Sequence, residues 1–148
     1  MAKFIFNFEQ LLNIKRKIEK QEQMNLGKAM QALSLSMQKL ELIRKHQNDA
    51  VKEFQECLNK GRIEPLEVKR LNDKIKFYNQ QVIEQQSLVE KNKGLVEDVK
   101  ELLKKALQER KTYEILKEKA FEEYFELEKA EEAKNNDEIV SFKYKNER

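Results

Sequence analysis

The helical pattern of the chain is broken most clearly at Asn59-Lys60-Gly61-Arg62-Ile63-Glu64-Pro65. Gly61 suits a left-handed helix C-cap, because glycine adopts positive φ angles without a steric penalty. Pro65 suits the first turn of a new helix, where its missing N–H costs no hydrogen bond. The segment therefore predicts that one helix ends and a second begins here, with the turn over residues 60–65.

Apolar residues on both sides of this turn recur at spacings of three and four, the pattern of a coiled-coil seam. It predicts helices over about 4–59 and about 66–134, roughly 80 and 100 Å long at 1.5 Å per residue. The first seam contains Leu26, Ala29, Leu33, Ser36, Leu40, Ile43, Gln47, Ala50, Phe54 and Cys57. The second contains Leu71, Ile75, Tyr78, Val82, Gln85, Val89, Asn92, Val96, Val99, Leu103 and Ala106, and continues through Tyr113 and Ala120.

The short connection favours antiparallel neighbours, because it cannot carry the chain back along a helix of this length. The predicted fold is all-α, a long two-helix antiparallel coiled coil that forms one helical hairpin over residues 1–148. With the turn centred near residue 62, opposed residue numbers add up to roughly 124, which brings Phe4 close to Ala120. Residues 135–148 are expected to fray, since Asn135-Asn136-Asp137 disfavours helix.

Several seam and flanking residues leave questions open. Gln47, Gln85 and Asn92 are polar residues that fix the register of a coiled coil at some cost in stability. Arg110 and Lys117 interrupt the second seam. Leu88, Leu95 and Leu102 add a flanking ridge to the second seam at intervals of seven. The first seam is widened on one side, which leaves open whether two hairpins associate, by Met30, Met37, Val51 and Leu58.

The composition excludes several classes of partner and location. Charged and apolar residues each make up 39% of the chain and the net charge is +3, with Lys and Glu alternating, so no basic face for nucleic acid is expected. No stretch approaches the roughly 20 apolar residues of a membrane-spanning helix. The start MAKFIFNFEQ lacks the apolar run of a signal peptide, and Cys57 is the single cysteine. A cytoplasmic protein that meets the membrane only through partners is expected.

The chain is not expected to be an enzyme, because a two-helix coiled coil has no concave pocket that excludes water. No catalytic, cofactor-binding or metal-binding residue is predicted. His46 is the only histidine and is interpreted as a surface residue, and Cys57 as a small hydrophobe of the seam. No glycine-rich phosphate-binding motif is present.

The N-terminal segment admits three interpretations. Its apolar residues are followed by the basic residues Lys15, Arg16, Lys17 and Lys20. The apolar face packs on the second helix, docks into a groove of another protein, or lies on a membrane surface.

Two segments resemble one family, namely FIFNFEQLLNIKRKIEKQEQ at residues 4–23 and LKEKAFEEYFELEKAEEAKNNDEI at residues 116–139. With the helix–turn–helix layout, they resemble the FliJ family of bacterial flagellar export components. The resemblance implies a non-enzymatic, stalk-like coiled coil of the type III export apparatus, similar to the central stalk of rotary ATPases. Its implied partners are the hexameric export ATPase, the cytoplasmic domain of the export gate and export chaperones. Its implied location is the inner face of the cell membrane at the flagellar base.

The resemblance also suggests contact residues. The hairpin end that would meet the ATPase ring contains Phe4, Phe8, Leu11, Leu12, Phe121, Tyr124 and Phe125. The stripe beside Gln47-Asn48 that would meet the gate contains Ile43, His46, Ala50, Ile75, Asn79, Val82 and Gln86. The family is expected to carry aromatics where this chain has His46 and Ala50. The alternative function is a general cytoplasmic coiled-coil scaffold or chaperone unrelated to flagella.

Overall fold

A computed structural model describes residues 3–146 and contains two helices, α1 (Glu9–Asn59) and α2 (Pro65–Asn146), with no strand in that range. The helices pack against each other, which confirms the predicted all-α hairpin coiled coil. The register is also confirmed, because Lys15 lies against Glu109 and His46 against Tyr78. The chain divides into two compact units, each with a part of both helices: unit 1 comprises residues 1–21 and 104–148, and unit 2 residues 22–103.

The turn between the helices covers residues 60–64. Pro65 is the first residue of α2, one residue before the predicted start near 66, and the N–H of Val68 donates to the carbonyl of Glu64 at 3.1 Å. The predicted left-handed conformation of Gly61 is wrong, since no glycine of the described chain has a positive φ. The chain therefore leaves α1 through an open bend, and Gly61 has free space around its Cα.

The helix α1 begins at Glu9, later than the predicted start near residue 4. Residues 3–6 are not helical, and Phe4, Phe6 and Phe8 alternate along the segment in the way aromatic residues do in extended chain. The N–H of Leu12 donates to the Phe8 carbonyl at 2.8 Å as the first helical bond. Glu9 lies in the first turn, where its carboxylate interacts favourably with the positive end of the helix dipole.

The helix α2 extends to Asn146, past the predicted end near 134, so residues 135–146 of the tail are helical. Residues 147–148 lie outside the described range. Lys143 and Lys145 lie in the last turn, where positive charge is favourable at the helix C-terminus. Every residue from 129 to 146 is solvent-exposed.

Unit 2 contains the main apolar core. Leu40, Ile43, Val82 and Val89 form one buried cluster, with Leu33 and Tyr78 packed at its edge. The further buried residues towards the turn are Ala50, Cys57 and Leu71. The cysteine is a free thiol, in agreement with its predicted role as a small seam residue.

Polar side chains form specific hydrogen bonds across the seam of unit 2. The buried Gln85 amide donates to the carbonyl of Ser36 at 2.9 Å, and Asn92 donates to the carbonyl of Ala32 at 3.4 Å. Gln47 donates to Asn79 at 2.7 Å. Because a shift of one residue would leave these groups unpaired, the bonds favour a single register.

Candidate partner-binding surfaces

The non-helical segment at residues 3–8 brings aromatic rings of both chain ends together in unit 1. The Phe4 ring centroid lies 5.3 Å from that of Phe121, in an edge-to-face arrangement, and 5.4 Å from that of Tyr124. Phe121 in turn stacks near Phe125 at 6.4 Å. Such arrangements stabilise aromatic pairs beyond the area they bury. We call Phe4, Phe8, Phe121, Tyr124 and Phe125 the aromatic patch.

Much of the aromatic patch faces solvent. Phe8, Phe121 and Phe125 are each close to half exposed, although they contact other rings. The Lys129 ammonium lies 5.0 Å from the centre of the Phe125 ring. Large exposed aromatic surfaces of this kind are typical of sites that bind other proteins.

The seven residues predicted for this end do not all belong to that surface. Leu12 is fully buried between the helices and Leu11 is partly buried, so Leu12 holds the hairpin together and is closed to a partner. Two residues outside the predicted contact set lie against Phe8. Phe6 is buried beside Phe8, and Tyr113 lies 6.2 Å from Phe8. The alternation of Phe4, Phe6 and Phe8 was the available signal for an extended aromatic segment.

Ion pairs replace apolar contacts where charged residues interrupt the seam of unit 1. Arg110 binds Glu19 on α1 and Glu114 on α2, and Lys117 binds Glu9 at 2.8 Å. Lys15 also binds Glu109 at 2.9 Å. The hydrogen bonds to Glu19 and Glu114 raise the pKa of Arg110. The interruptions seen in the sequence are therefore paired positions of the interface.

The Lys15–Glu109 pair changes the pKa of both groups. The hydrogen bond from Lys15 lowers the pKa of Glu109 below its ordinary 4.5, and the same bond raises the pKa of Lys15 above 10.5. A lowered carboxyl pKa stabilises the folded state above the unfolded pKa, and this contribution is lost as the pH falls through the folded pKa. The raised lysine pKa stabilises the folded state below 10.5, and is lost as the pH rises through the folded value.

We expect Glu109→Gln to flatten the acid dependence of amide hydrogen exchange in unit 1 between pH 7 and about pH 3. The amide keeps the shape of the side chain but has no charge to lose on acidification. Glu101→Gln is the matched control on α2, because Glu101 is solvent-exposed and lies in unit 2. An acid profile of unit 1 that is unchanged by Glu109→Gln would contradict the assignment.

The residues predicted for the gate lie in unit 2 and separate into two groups. Ile43, Ala50 and Val82 are buried between the helices, and Ile75 is partly buried. His46, Asn79 and Gln86 are solvent-exposed. His46 stacks on Tyr78 at 5.8 Å, and Asn79 accepts the hydrogen bond from Gln47. A partner that meets the closed hairpin therefore reaches only the second group.

An open groove runs along one face of unit 2, beside the exposed gate residue Gln86. Its floor contains Leu40, Val89 and Val96, and its α1 edge carries the half-exposed Met30 and Met37. The methionines that widen the α1 stripe in the sequence thus form one edge of this groove. Methionine side chains adapt to partners of different shape, which suits a binding surface.

The described residues contain no group of three or more His, Cys, Asp and Glu side chains that could hold a metal ion. No helix within residues 3–146 is long and apolar enough to cross a membrane. The candidate partner-binding surfaces of the described residues are therefore the aromatic patch, the exposed gate residues and the groove.

Comparison with known proteins identifies the family. The family model described as flagellar FliJ protein matches residues 4–148, which is nearly the whole chain. Neither the curated proteins nor the solved structures gave a significant match. Members of this family are components of flagellar protein export. Because the match includes both terminal segments and both helices, the chain belongs to the FliJ family.

Proposed function

We propose that this chain is a non-enzymatic, stalk-like component of flagellar export that binds the export ATPase hexamer through unit 1 and the export gate through unit 2. The observation that carries the proposal is the aromatic patch, in which Phe8, Phe121 and Phe125 are half exposed in unit 1, the unit that contains segments from both ends of the chain. Aromatic side chains are the usual anchors of protein interfaces. The family match supports the export role.

The gate part of the proposal rests on His46, Asn79 and Gln86, which are the predicted gate residues that remain exposed. His46 and Tyr78 form a stacked pair on the surface of unit 2. This pair offers a flat ring where the family is expected to carry an aromatic residue. Export chaperones are a third proposed class of partner, for which the methionine-edged groove of unit 2 is the suitable surface.

The proposed location is the cytoplasmic side of the membrane at the flagellar base, with contact to the membrane only through partners. The proposal includes no bond chemistry by this chain. Its contribution would be selective binding, so a change of affinity for a partner is the quantity that tests it.

We expect Phe121→Ala/Phe125→Ala to weaken binding to the export ATPase by about ten- to a hundredfold, because each ring is a candidate anchor. The same variant should bind the cytoplasmic gate domain like the wild type. His46→Glu/Gln86→Glu should show the reverse, with weaker gate binding and unchanged ATPase binding. Both affinities are measured by titration of the purified full chain, with ATP hydrolysis recorded alongside.

Phe77→Ala is the matched control, because Phe77 is an exposed phenylalanine of comparable accessibility in unit 2. Far-UV circular dichroism should give the same helicity for all variants. Unchanged ATPase binding by Phe121→Ala/Phe125→Ala would refute the role of the aromatic patch. Failure of the wild type to bind an active export ATPase would refute the stalk function itself.

A further inference from the structure

Three leucines on α2 form an exposed strip that α1 does not cover. Leu88, Leu95 and Leu102 are spaced by seven residues and are 42%, 48% and 52% exposed. All three lie in unit 2. At 1.5 Å per residue the strip is about 21 Å long. A single exposed leucine is ordinary, but a continuous row on one helix face is a surface suited to another helix.

Two opposite charges lie beside this leucine strip. Lys91 is four residues before Leu95, and Asp98 is three residues after it, so both share the face of the central leucine. Both are solvent-exposed. On the other flank of α2, Lys93 and Lys100 form ion pairs with Glu90 and Glu97 of the same helix. The charges of Lys91 and Asp98 are seven residues apart, which is too far for a pair within one helix.

Gly94 lies between these charges, next to Leu95. Glycine in the interior of a helix lowers helix stability relative to alanine. A Cβ added at Gly94 would meet nothing within 4 Å, so packing within the chain gives no reason for glycine. Glycine on a helix surface allows a second backbone to approach closely and leaves a shallow recess for its side chains.

These three features become complementary when two copies of α2 meet antiparallel about a two-fold axis near residues 94 and 95. Leu95 of each copy then lies beside Leu95 of the other, and the two Gly94 residues lie next to each other on the opposite side of the interface. Lys91 of each copy faces Asp98 of the other, so that the symmetry makes two ion pairs, and Leu88 lies close to Leu102 of the second copy. A two-fold interface requires a surface that is complementary to itself, and this arrangement of charges meets the requirement.

We propose that the leucine strip is a self-association surface, on which a second copy of this chain docks antiparallel through Leu88, Leu95 and Leu102, with the recess at Gly94 allowing the two backbones to approach closely. A parallel arrangement would place Lys91 beside Lys91 and Asp98 beside Asp98, which like-charge repulsion disfavours. The strip is short, so the dimer is expected to be weak and reversible, with a Kd on the order of 100 µM.

The test is sedimentation equilibrium of the full chain over a concentration series up to about 1 mM, with charge-reversal variants. Lys91→Asp and Asp98→Lys should each raise the dimer Kd more than about tenfold, since each creates like-charge pairs. An equimolar mixture of the two single variants should form a heterodimer of wild-type affinity, because both ion pairs are restored in it. The double variant Lys91→Asp/Asp98→Lys should also self-associate like the wild type.

Lys93→Asp is the matched control, because it makes the same charge change on the other flank of α2 and should leave the dimer unaffected. Gly94→Ala gives a second, independent readout. It should raise the thermal midpoint of the monomer, because alanine favours helix, and yet raise the dimer Kd at least about fivefold by filling the recess.

A monomer at all concentrations would overturn the proposal, and so would a dimer that the charge reversals leave unchanged. A dimer lost with either single variant but not regained in the mixture would also overturn it, because the antiparallel pairing of Lys91 with Asp98 would then be wrong. None of these outcomes depends on ATPase or gate binding.

Discussion

Leu12→Ala is expected to lower the free energy of unfolding by about 2–5 kcal/mol, the usual cost of removing a buried leucine side chain. Leu12 is fully buried, and few other apolar residues of unit 1 are: Phe6 and Ala106. The loss therefore falls on a part of the chain whose remaining contacts between the helices are mainly ion pairs and partly exposed aromatic rings. Native-state hydrogen exchange should show faster exchange in residues 9–21 and 104–128, with smaller changes in unit 2.

Phe8→Ala is the matched control for Leu12→Ala, because Phe8 lies four residues earlier and is half exposed. It should cost less than half as much stability, since much of its ring is already in water. Equal effects of the two substitutions, or uniform acceleration of exchange along both units, would contradict the role assigned to Leu12. The comparison also separates folding from binding. Because Leu12 is buried, weaker partner binding by Leu12→Ala would reflect looser packing of the hairpin and not the loss of a contact residue.

Ile43→Asp is expected to cost about 3–5 kcal/mol, because it places an unpaired carboxylate among apolar side chains. Ile43 belongs to the buried cluster with Leu40, Val82 and Val89. The total stability of a domain is typically about 5–15 kcal/mol, so this substitution should unfold much of unit 2 under mild denaturant. Urea titration followed by circular dichroism measures the loss.

Ile43→Val provides the conservative comparison and should cost about 0.5–1.5 kcal/mol. A hairpin that tolerates Ile43→Asp with no loss of stability would show that this position is open to solvent. The prediction bears on the gate surface, because the family resemblance suggested Ile43 as a contact residue. Loss of gate binding in Ile43→Asp would then follow from separation of the helices, whereas His46→Glu leaves the core intact.

The hairpin itself was predictable because its signals are local or periodic. Pro65 favours a helix start because its φ angle is fixed and it has no N–H to leave unpaired. The spacing of three and four identifies the buried faces, which contain Leu40, Ile43, Val82 and Val89. The predicted left-handed conformation of Gly61 was wrong because a glycine permits a left-handed cap without requiring one. The late start of α1 was missed because Phe4 and Phe8 have the helical spacing of four, although together with Phe6 they also fit the alternating pattern of an extended segment.

The binding surfaces were less predictable, because a seam residue and a contact residue have the same sequence signature. Ile43, Ala50 and Val82 fitted both roles, and only packing shows that they face the other helix. The pairing of Arg110 with Glu19 was also hidden, since a long charged side chain has several acceptors within reach and sequence spacing does not choose among them. Tyr113 became recognisable only when the register brought it to Phe8.

The buried thiol of Cys57 provides a measure of how often the two helices separate near the turn. This single cysteine is free and 4% exposed, so a reagent in solution reaches its sulfur only during moments when α1 and α2 separate near the turn. The rate of alkylation is then the intrinsic thiolate rate multiplied by the fraction of time spent open. Slowing of that rate on addition of a partner would measure, in the unsubstituted chain, how strongly the partner favours the closed hairpin.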